Sequence, residues 1–307
     1  MQLAHEPVRS RCRRLQSEWK KVYIYPKVYL PRRLTRGIFM SDEQNIISTR
    51  RKRLLNRILW LAISLGAGLI IWHLVSRLLG LPAFILPGPG MVWKRFLQSL
   101  VDGQLGKHTL TTLLEVLAGL LLGGLSATIL GYLLSKFPAF EKLISPYLVA
   151  SQSIPIVAIA PLLVIWFGVG ISSKILICSL IVFFPILINT VVGLREVPQD
   201  LSDLMESLGA NRLQTFWKLE VPAALPIFLG GVRVGATLSV IGAVVGELVG
   251  ADRGLGFLIN VGRGQYDTAL VFVSVITLVA MAMSLYGLVL LIETHFLSWQ
   301  SWRQEEN

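Results

Sequence analysis

The sequence predicts an all-α integral membrane protein with six transmembrane helices. Hydrophobic residues make up 53% of its 307 residues, charged residues only 15%, and the mean hydropathy is +0.64. A soluble domain has about a quarter of its residues charged. In addition, six apolar stretches reach the roughly 20 residues that a helix needs to cross a bilayer. Together these observations exclude a soluble globular domain.

The chain begins with a basic arm, residues 1–57, which we expect to be cytoplasmic. The cluster from Arg50 to Arg57 precedes the first apolar stretch and disfavours its own translocation. Because the positive charge is concentrated at this end, it predicts an orientation in the membrane and no nucleic-acid partner. Residues 1–39 lack the apolar core of a secretory signal. Two alternatives stay open for them, a transit peptide or an over-extended start with Met40 as the true first residue.

The predicted membrane domain occupies residues 58–293, and a short cytoplasmic tail follows at 294–307. Its six predicted spans are 58–79, 110–134, 147–169, 175–194, 225–249 and 269–292. Between the first two, a Pro-Gly-Pro-Gly run excludes a helix. Apolar positions at helical spacing in 91–105 then predict a short helix at the outer interface.

The sequence contains no motif that predicts catalysis. Its one Gly-Lys pair, Gly106-Lys107, lacks the first glycine of a phosphate-binding loop, and zinc-protease and serine-hydrolase motifs are absent. The four histidines form no ligand pattern. Cys12 and Cys178 lie far apart, which predicts neither a disulfide framework nor a metal cluster. We therefore expect no enzyme activity, cofactor or metal in this chain.

Four ionisable residues are candidates for buried charges within or beside the second, fifth and sixth predicted spans. Arg233 and Glu247 are 14 residues apart, about 21 Å along a helix, so they cannot pair with each other and are each expected to pair with another helix or loop. Glu115 and Glu293 lie near helix ends and are expected to contact the headgroup layer. A proton relay would need a second buried carboxylate or histidine in mid-membrane, and none is predicted.

Small residues recur at every fourth position on the second and fifth spans, and each set predicts a smooth helix face for close packing. An alternative is a seam along which helices slide during transport. The two sets are Gly119, Gly123, Ala127 and Gly131, and Gly231, Gly235, Ser239 and Ala243.

The cytoplasmic loop 195–224 predicts two short helices joined by a glycine elbow. The first has its apolar residues at helical spacing, namely Leu201, Leu204, Met205 and Leu208. Gly209 suits the left-handed residue that ends such a helix. Asn211 and Gln214 predict a capping box for the second helix, which is expected to stop at Pro222.

The segment from Asp203 to Pro226 resembles the EAA loop of ABC-importer permeases. Asp203-Leu204-Met205 stands where that family has Glu-Ala-Ala, whereas Gly209-Ala210 and the Pro-Ala-Ala-Leu-Pro run at 222–226 match it. Asp203 is shorter than the glutamate of the family, and Leu204 and Met205 are larger than its two alanines. These differences affect the contacts expected where the loop docks on the ATPase. The resemblance implies that coupling to an ATPase involves Asp203, Leu204, Met205, Leu208, Gly209 and Ala210.

Further motifs from residue 86 onward are similar to permeases for nitrate, taurine, alkanesulfonates, bicarbonate, and pyrimidine or flavin vitamins. They include Pro155 with Ala158, the Phe-Phe-Pro-Ile run at 183–186 and the Gly-Leu-Gly run at 254–256. The stretches 150–156, 166–170 and 245–252 are most similar to permeases for riboflavin or thiamine-type pyrimidine precursors.

The resemblance implies a type I ABC importer permease fold and a place in the cell (inner) membrane. It also implies a second permease protomer as a homodimer partner, two ATPase subunits that hydrolyse ATP, and an extracytoplasmic solute-binding protein. Polar residues on the third and fourth spans are candidates for the solute pathway, with interhelical hydrogen bonding as the alternative; they are Ser151, Gln152, Ser153, Asn189 and Thr190. A self-sufficient secondary carrier and a non-transporting assembly factor stay open as rival classes.

Overall fold

The computed structural model describes residue 56, residues 59–60 and 62–78, residue 80 and residues 82–297. These residues are helical, with loops and no β-strand. The chain divides into two units, Met1–Leu69 and Ile70–Asn307, and the first helix, α1, covers Ala62–Leu78. The basic arm and the tail predicted at 294–307 fall largely outside the described residues, as does the start of the first predicted span.

The other helices belong to the second unit. In chain order they are α2 (Pro89–Val101), α3 (Gln104–Lys136), α4 (Pro138–Gln152), α5 (Ile156–Phe167), α6 (Ile171–Arg195), α7 (Gln199–Ser207), α8 (Arg212–Thr215), a π-helical turn (Phe216–Glu220), α9 (Val221–Val249), α10 (Leu255–Gly264) and α11 (Thr268–Phe296). Four continuous helical stretches are long and apolar enough to cross a membrane: α3, α6, α8 through α9, and α11. They confirm the predicted second, fourth, fifth and sixth spans as helices. Helix α2 confirms the short helix predicted in 91–105, whose position at the outer interface stays a prediction.

The third predicted span is not one continuous helix. It consists of α4 and α5, which are bent by 95° at a short break after Gln152. Pro155 explains the break, because a proline disfavours helical backbone in the residue before it, here Ile154. The continuous helix predicted over 147–169 was therefore wrong, although Pro155 was visible in the sequence.

Helix α6 lies between α3 and α9, and the two small-residue faces pack against it. A Cβ built on Gly123 would lie 2.5 Å from the Ser179 carbonyl oxygen, and one on Gly231 would lie 2.6 Å from the Asn189 Cβ. Neither neighbour on α6 could approach so closely if the glycines carried side chains. The predicted close packing is confirmed, and it makes α3, α6 and α9 the centre of the unit.

Candidate functional site

The candidate functional site is the cytoplasmic loop, and its first helix is α7. Leu204 and Leu208 on and just after this helix leave 53% and 72% of their surface exposed, and Leu201 is exposed as well. Met205 is half-buried. The apolar face predicted from the spacing therefore exists, and no residue in the described part of the chain covers most of it.

Gly209 ends α7 in a left-handed conformation, with φ at +72°. Its N–H donates to the Glu206 carbonyl at 2.9 Å, and the Ala210 N–H donates to the Met205 carbonyl at 3.0 Å. These two hydrogen bonds form the Schellman motif, which satisfies the carbonyls at the end of a helix. The predicted glycine elbow is confirmed.

The second helix of the loop starts where the sequence predicts but does not stop at Pro222. Asn211 and Gln214 exchange hydrogen bonds of 2.8 and 2.9 Å in a capping box at the start of α8. The helix then passes through the π-helical turn into α9. Pro222 lacks the N–H of a regular helix, and the wider π turn just before it accommodates this loss. The loop is thus a direct extension of a membrane helix.

Two ion pairs hold the base of the loop against its neighbours. Lys136 at the end of α3 donates to Glu220 at 2.6 Å, and Arg195 at the end of α6 pairs with Glu141 on α4. Tyr132 also packs edge-on against Phe216 in the π turn. These contacts join the two ends of the loop to α3 and α4.

The candidate solute-pathway residues fall into two groups. Ser151, Gln152 and Ser153 are exposed at the bend between α4 and α5. Asn189 and Thr190 lie on α6, and both side chains donate to carbonyls of their own helix, at 2.8 and 2.7 Å. Thr190 is buried, whereas Asn189 is half-buried against Gly231. Their role in solute passage stays a prediction.

The charged residues within the helices are paired more extensively than the sequence suggests. Arg233 on α9 forms an ion pair with Glu293 on α11 and lies over the Tyr286 ring, which confirms the expected pairing with another helix. The position at the headgroup layer expected for Glu293 stays a prediction. Its side chain is about one-fifth exposed and faces a neighbouring helix.

A buried carboxyl pair on α3 and α9 is the feature that sequence reasoning missed. Glu115, expected at the headgroup layer, is fully buried and lies within hydrogen-bonding range of Glu247. That expectation was wrong because distance from a helix end says nothing about which face the residue occupies. The Gly-Leu-Gly run at 254–256, which folds onto Glu247, was the available signal.

The comparisons with known proteins agree with this architecture. Residues 119–298 match a family described as "Binding-protein-dependent transport system inner membrane component". The chain is 46% identical to the riboflavin transport system permease protein RibX of Chloroflexus aurantiacus, over 82% of this chain and 95% of RibX. It is 35% identical to the formylaminopyrimidine transport permease protein ThiX of Halalkalibacterium halodurans, over 76% of this chain and 92% of ThiX.

A third relative is the taurine transport system permease protein TauC of Escherichia coli, 31% identical over 72% of this chain and 83% of TauC. Among solved structures, a chain of the MetNI methionine ABC transporter in an inward-facing conformation aligns with this chain with a TM-score of 0.54. The two are 20% identical, and the alignment covers 65% of this chain and 97% of the MetNI chain. This likeness supports the type I importer fold. The chain belongs to the binding-protein-dependent transport system inner membrane component family, as the multi-pass inner-membrane permease subunit of an ABC importer.

Proposed function

We propose that this permease imports riboflavin. The observation that carries the proposal is the 46% identity to a riboflavin transport permease, well above the 35% and 31% to the formylaminopyrimidine and taurine permeases. A thiamine-type pyrimidine precursor is the second candidate solute. Nitrate, alkanesulfonates and bicarbonate remain the further alternatives.

Coupling to ATP hydrolysis is proposed to occur through α7. Its exposed leucines form an apolar face on a helix that the Schellman motif and capping box hold at a fixed angle. A groove on a separate ATPase subunit would cover this face. ATP binding would then displace α7 together with the extended helix α8 to α9, and the solute pathway would change from inward to outward access.

The complete importer would contain two copies of this chain, two ATPase subunits and an extracytoplasmic solute-binding protein. The bend between α4 and α5 would line the pathway between the two copies, with Ser151, Gln152 and Ser153 offering hydroxyl and amide groups to the solute. Both termini would lie in the cytoplasm, as the basic arm favours. A reporter that is active only in the cytoplasm should work after Ser202 and fail after Gly254; activity at both positions would overturn this orientation.

The proposed solute can be tested by reconstituting the chain into vesicles with its ATPase and solute-binding protein. Uptake of labelled riboflavin, formylaminopyrimidine and taurine should be compared at equal concentrations, with and without ATP. ATP-dependent uptake of riboflavin alone is expected. Preferential uptake of another solute would overturn the choice of riboflavin, and uptake by the chain without an ATPase would indicate a secondary carrier instead.

A further inference from the structure

Three elements of the membrane unit meet around two buried carboxyl groups. Glu115 lies on α3, Glu247 lies near the end of α9, and the loop that leads into α10 folds over them. Both side chains are fully buried, and Glu115 lies one helical turn after Thr112, whose hydroxyl donates to Glu247 at 2.6 Å, so the two carboxyl groups face each other. The importer mechanism proposed above uses neither of them.

Glu247 has the environment of an ionised acceptor. The Thr112 hydroxyl donates to one of its oxygens at 2.6 Å, and the Gly256 N–H donates to the other at 2.5 Å. The Leu255 N–H in turn donates to the Thr112 oxygen at 2.9 Å. Glu247 therefore holds the first turn of α10 directly through Gly256 and indirectly through Thr112.

Glu115 has the opposite environment. Neither of its oxygens accepts a hydrogen bond from any described donor, although both are buried. A buried carboxylate without a donor is strongly destabilised, and two facing carboxylates add repulsion. A proton on Glu115 removes both problems, since a protonated carboxyl group can donate to the Glu247 carboxylate.

The other charged and titratable groups around the pair are consistent with one proton. Lys174 on α6 is buried nearby, and its ammonium group donates to the Val169 carbonyl at 2.8 Å. Its single positive charge balances one carboxylate, and a proton neutralises the second. On the remaining sides, His108 Nδ1 accepts a hydrogen bond from the Gly254 N–H at 2.9 Å, and the Cys178 thiol faces the Ser239 carbonyl. Asp252 and Arg253 lie in the loop that leads into α10.

A metal ion fits this arrangement less well than a proton. Within the described part of the chain, no group of three His, Cys, Asp or Glu residues could hold a metal.

We propose that Glu115 and Glu247 share one bound proton, carried by Glu115 and donated to Glu247, and that this proton keeps α10 closed over the end of the membrane domain. The loop rests directly on Glu247. A Cβ built on Gly254, where φ is +111°, would lie 2.1 Å from a Glu247 oxygen, and one on Gly256 would lie 2.8 Å from the Glu247 Cβ. Loss of the proton would drive the two carboxylates apart and release this loop.

Infrared spectroscopy of the full-length protein in lipid tests for the proton directly. At neutral pH the wild type should show the carbonyl stretch of an un-ionised carboxyl group, with a shift in heavy water. That band should vanish in Glu115→Gln. Absence of the band in the wild type, or its persistence in Glu115→Gln, would overturn the proposal, and the wild-type measurement does not depend on any variant folding.

Paired amide substitutions test the assigned roles. Glu115→Gln replaces the O–H with an amide N–H that can donate to Glu247, so the protection of the Gly256 amide, its exchange rate relative to that of an unstructured amide at the same pH, should stay high and independent of pH. Glu247→Gln weakens the acceptor of the Gly256 N–H, so exchange there should accelerate by about tenfold or more. Equal acceleration in both variants would refute the assignment of the proton to Glu115. Thermal stability of the wild type that rises with sodium at constant ionic strength would identify a metal cation in place of the proton.

Discussion

Substitution of Gly209 tests whether the loop geometry couples the ATPase to transport. At φ +72° the left-handed backbone costs a side-chain-bearing residue about 1–2 kcal/mol, and a β-branched residue is among the least tolerated there. No atom beyond the chain neighbours lies within 4 Å of a Cβ built on Gly209, so the first side-chain atom of Gly209→Val meets open space. We therefore expect its effect to be backbone strain in the elbow and not a packing defect.

The magnitude follows from that strain. A cost of about 1–2 kcal/mol lowers the population of the native elbow relative to its alternatives by about 5- to 30-fold. The apparent affinity for the ATPase subunits should fall by a similar factor, and solute uptake should fall with it. Gly209→Asn is the matched control, because asparagine tolerates the left-handed conformation and adds a side chain of similar size.

The assay compares three proteins in reconstituted vesicles: wild type, Gly209→Val and Gly209→Asn. ATPase binding, ATP hydrolysis stimulated by loaded binding protein, and uptake are measured for each. We expect the asparagine variant to retain most coupling and the valine variant to lose it while inserting normally. Equal behaviour of the two variants would show that the left-handed elbow does not transmit the movement.

Two further predictions concern packing and charge. Gly123→Ala should destabilise the protein in detergent by about 1–3 kcal/mol or more, because its Cβ would lie 2.5 Å from the Ser179 carbonyl oxygen. Gly124→Ala is the control, since its Cβ would lie 3.4 Å from its nearest neighbour, and the unfolding temperature should stay nearly unchanged. Arg233→Met should destabilise the fold because it leaves Glu293 without its partner, and the loss should be smaller than the about 3–5 kcal/mol of a fully buried pair. Adding Glu293→Met should restore most of the lost stability. A double variant as unstable as the single one would contradict this pairing.

Features governed by local backbone chemistry were predictable from the sequence. Gly209 was predicted to end α7, and the capping box of Asn211 and Gln214 was placed correctly, because both depend on residues close in the chain. The apolar face of α7 followed from spacing alone. The stop at Pro222 failed because a proline near a helix start is tolerated once the preceding turn widens to a π-helix.

Features governed by contacts between distant residues were not predictable in the same way. Glu115 and Glu247 are 132 positions apart, and nothing in either local sequence shows that the two helices bring them together. The pairing of Arg233 with another helix could be expected, because a lone charge in a membrane is costly. Its partner, Glu293, could be identified only from the packing of α9 against α11.

The helix that begins at Arg212 and ends at Val249 has a mechanical consequence. Its 38 residues give a length of about 57 Å at ~1.5 Å per residue, far more than the roughly 30 Å of a bilayer core. The capping box lies at one end and Glu247 at the other. The α9 part of this helix packs against α6, so a rigid tilt about that contact would move the two ends in opposite directions. A tilt of about 10° would shift each end by about 5 Å, and a push at the cytoplasmic elbow would then reach the carboxyl pair. The π turn and Pro226 are the places along the helix where bending would absorb part of that movement.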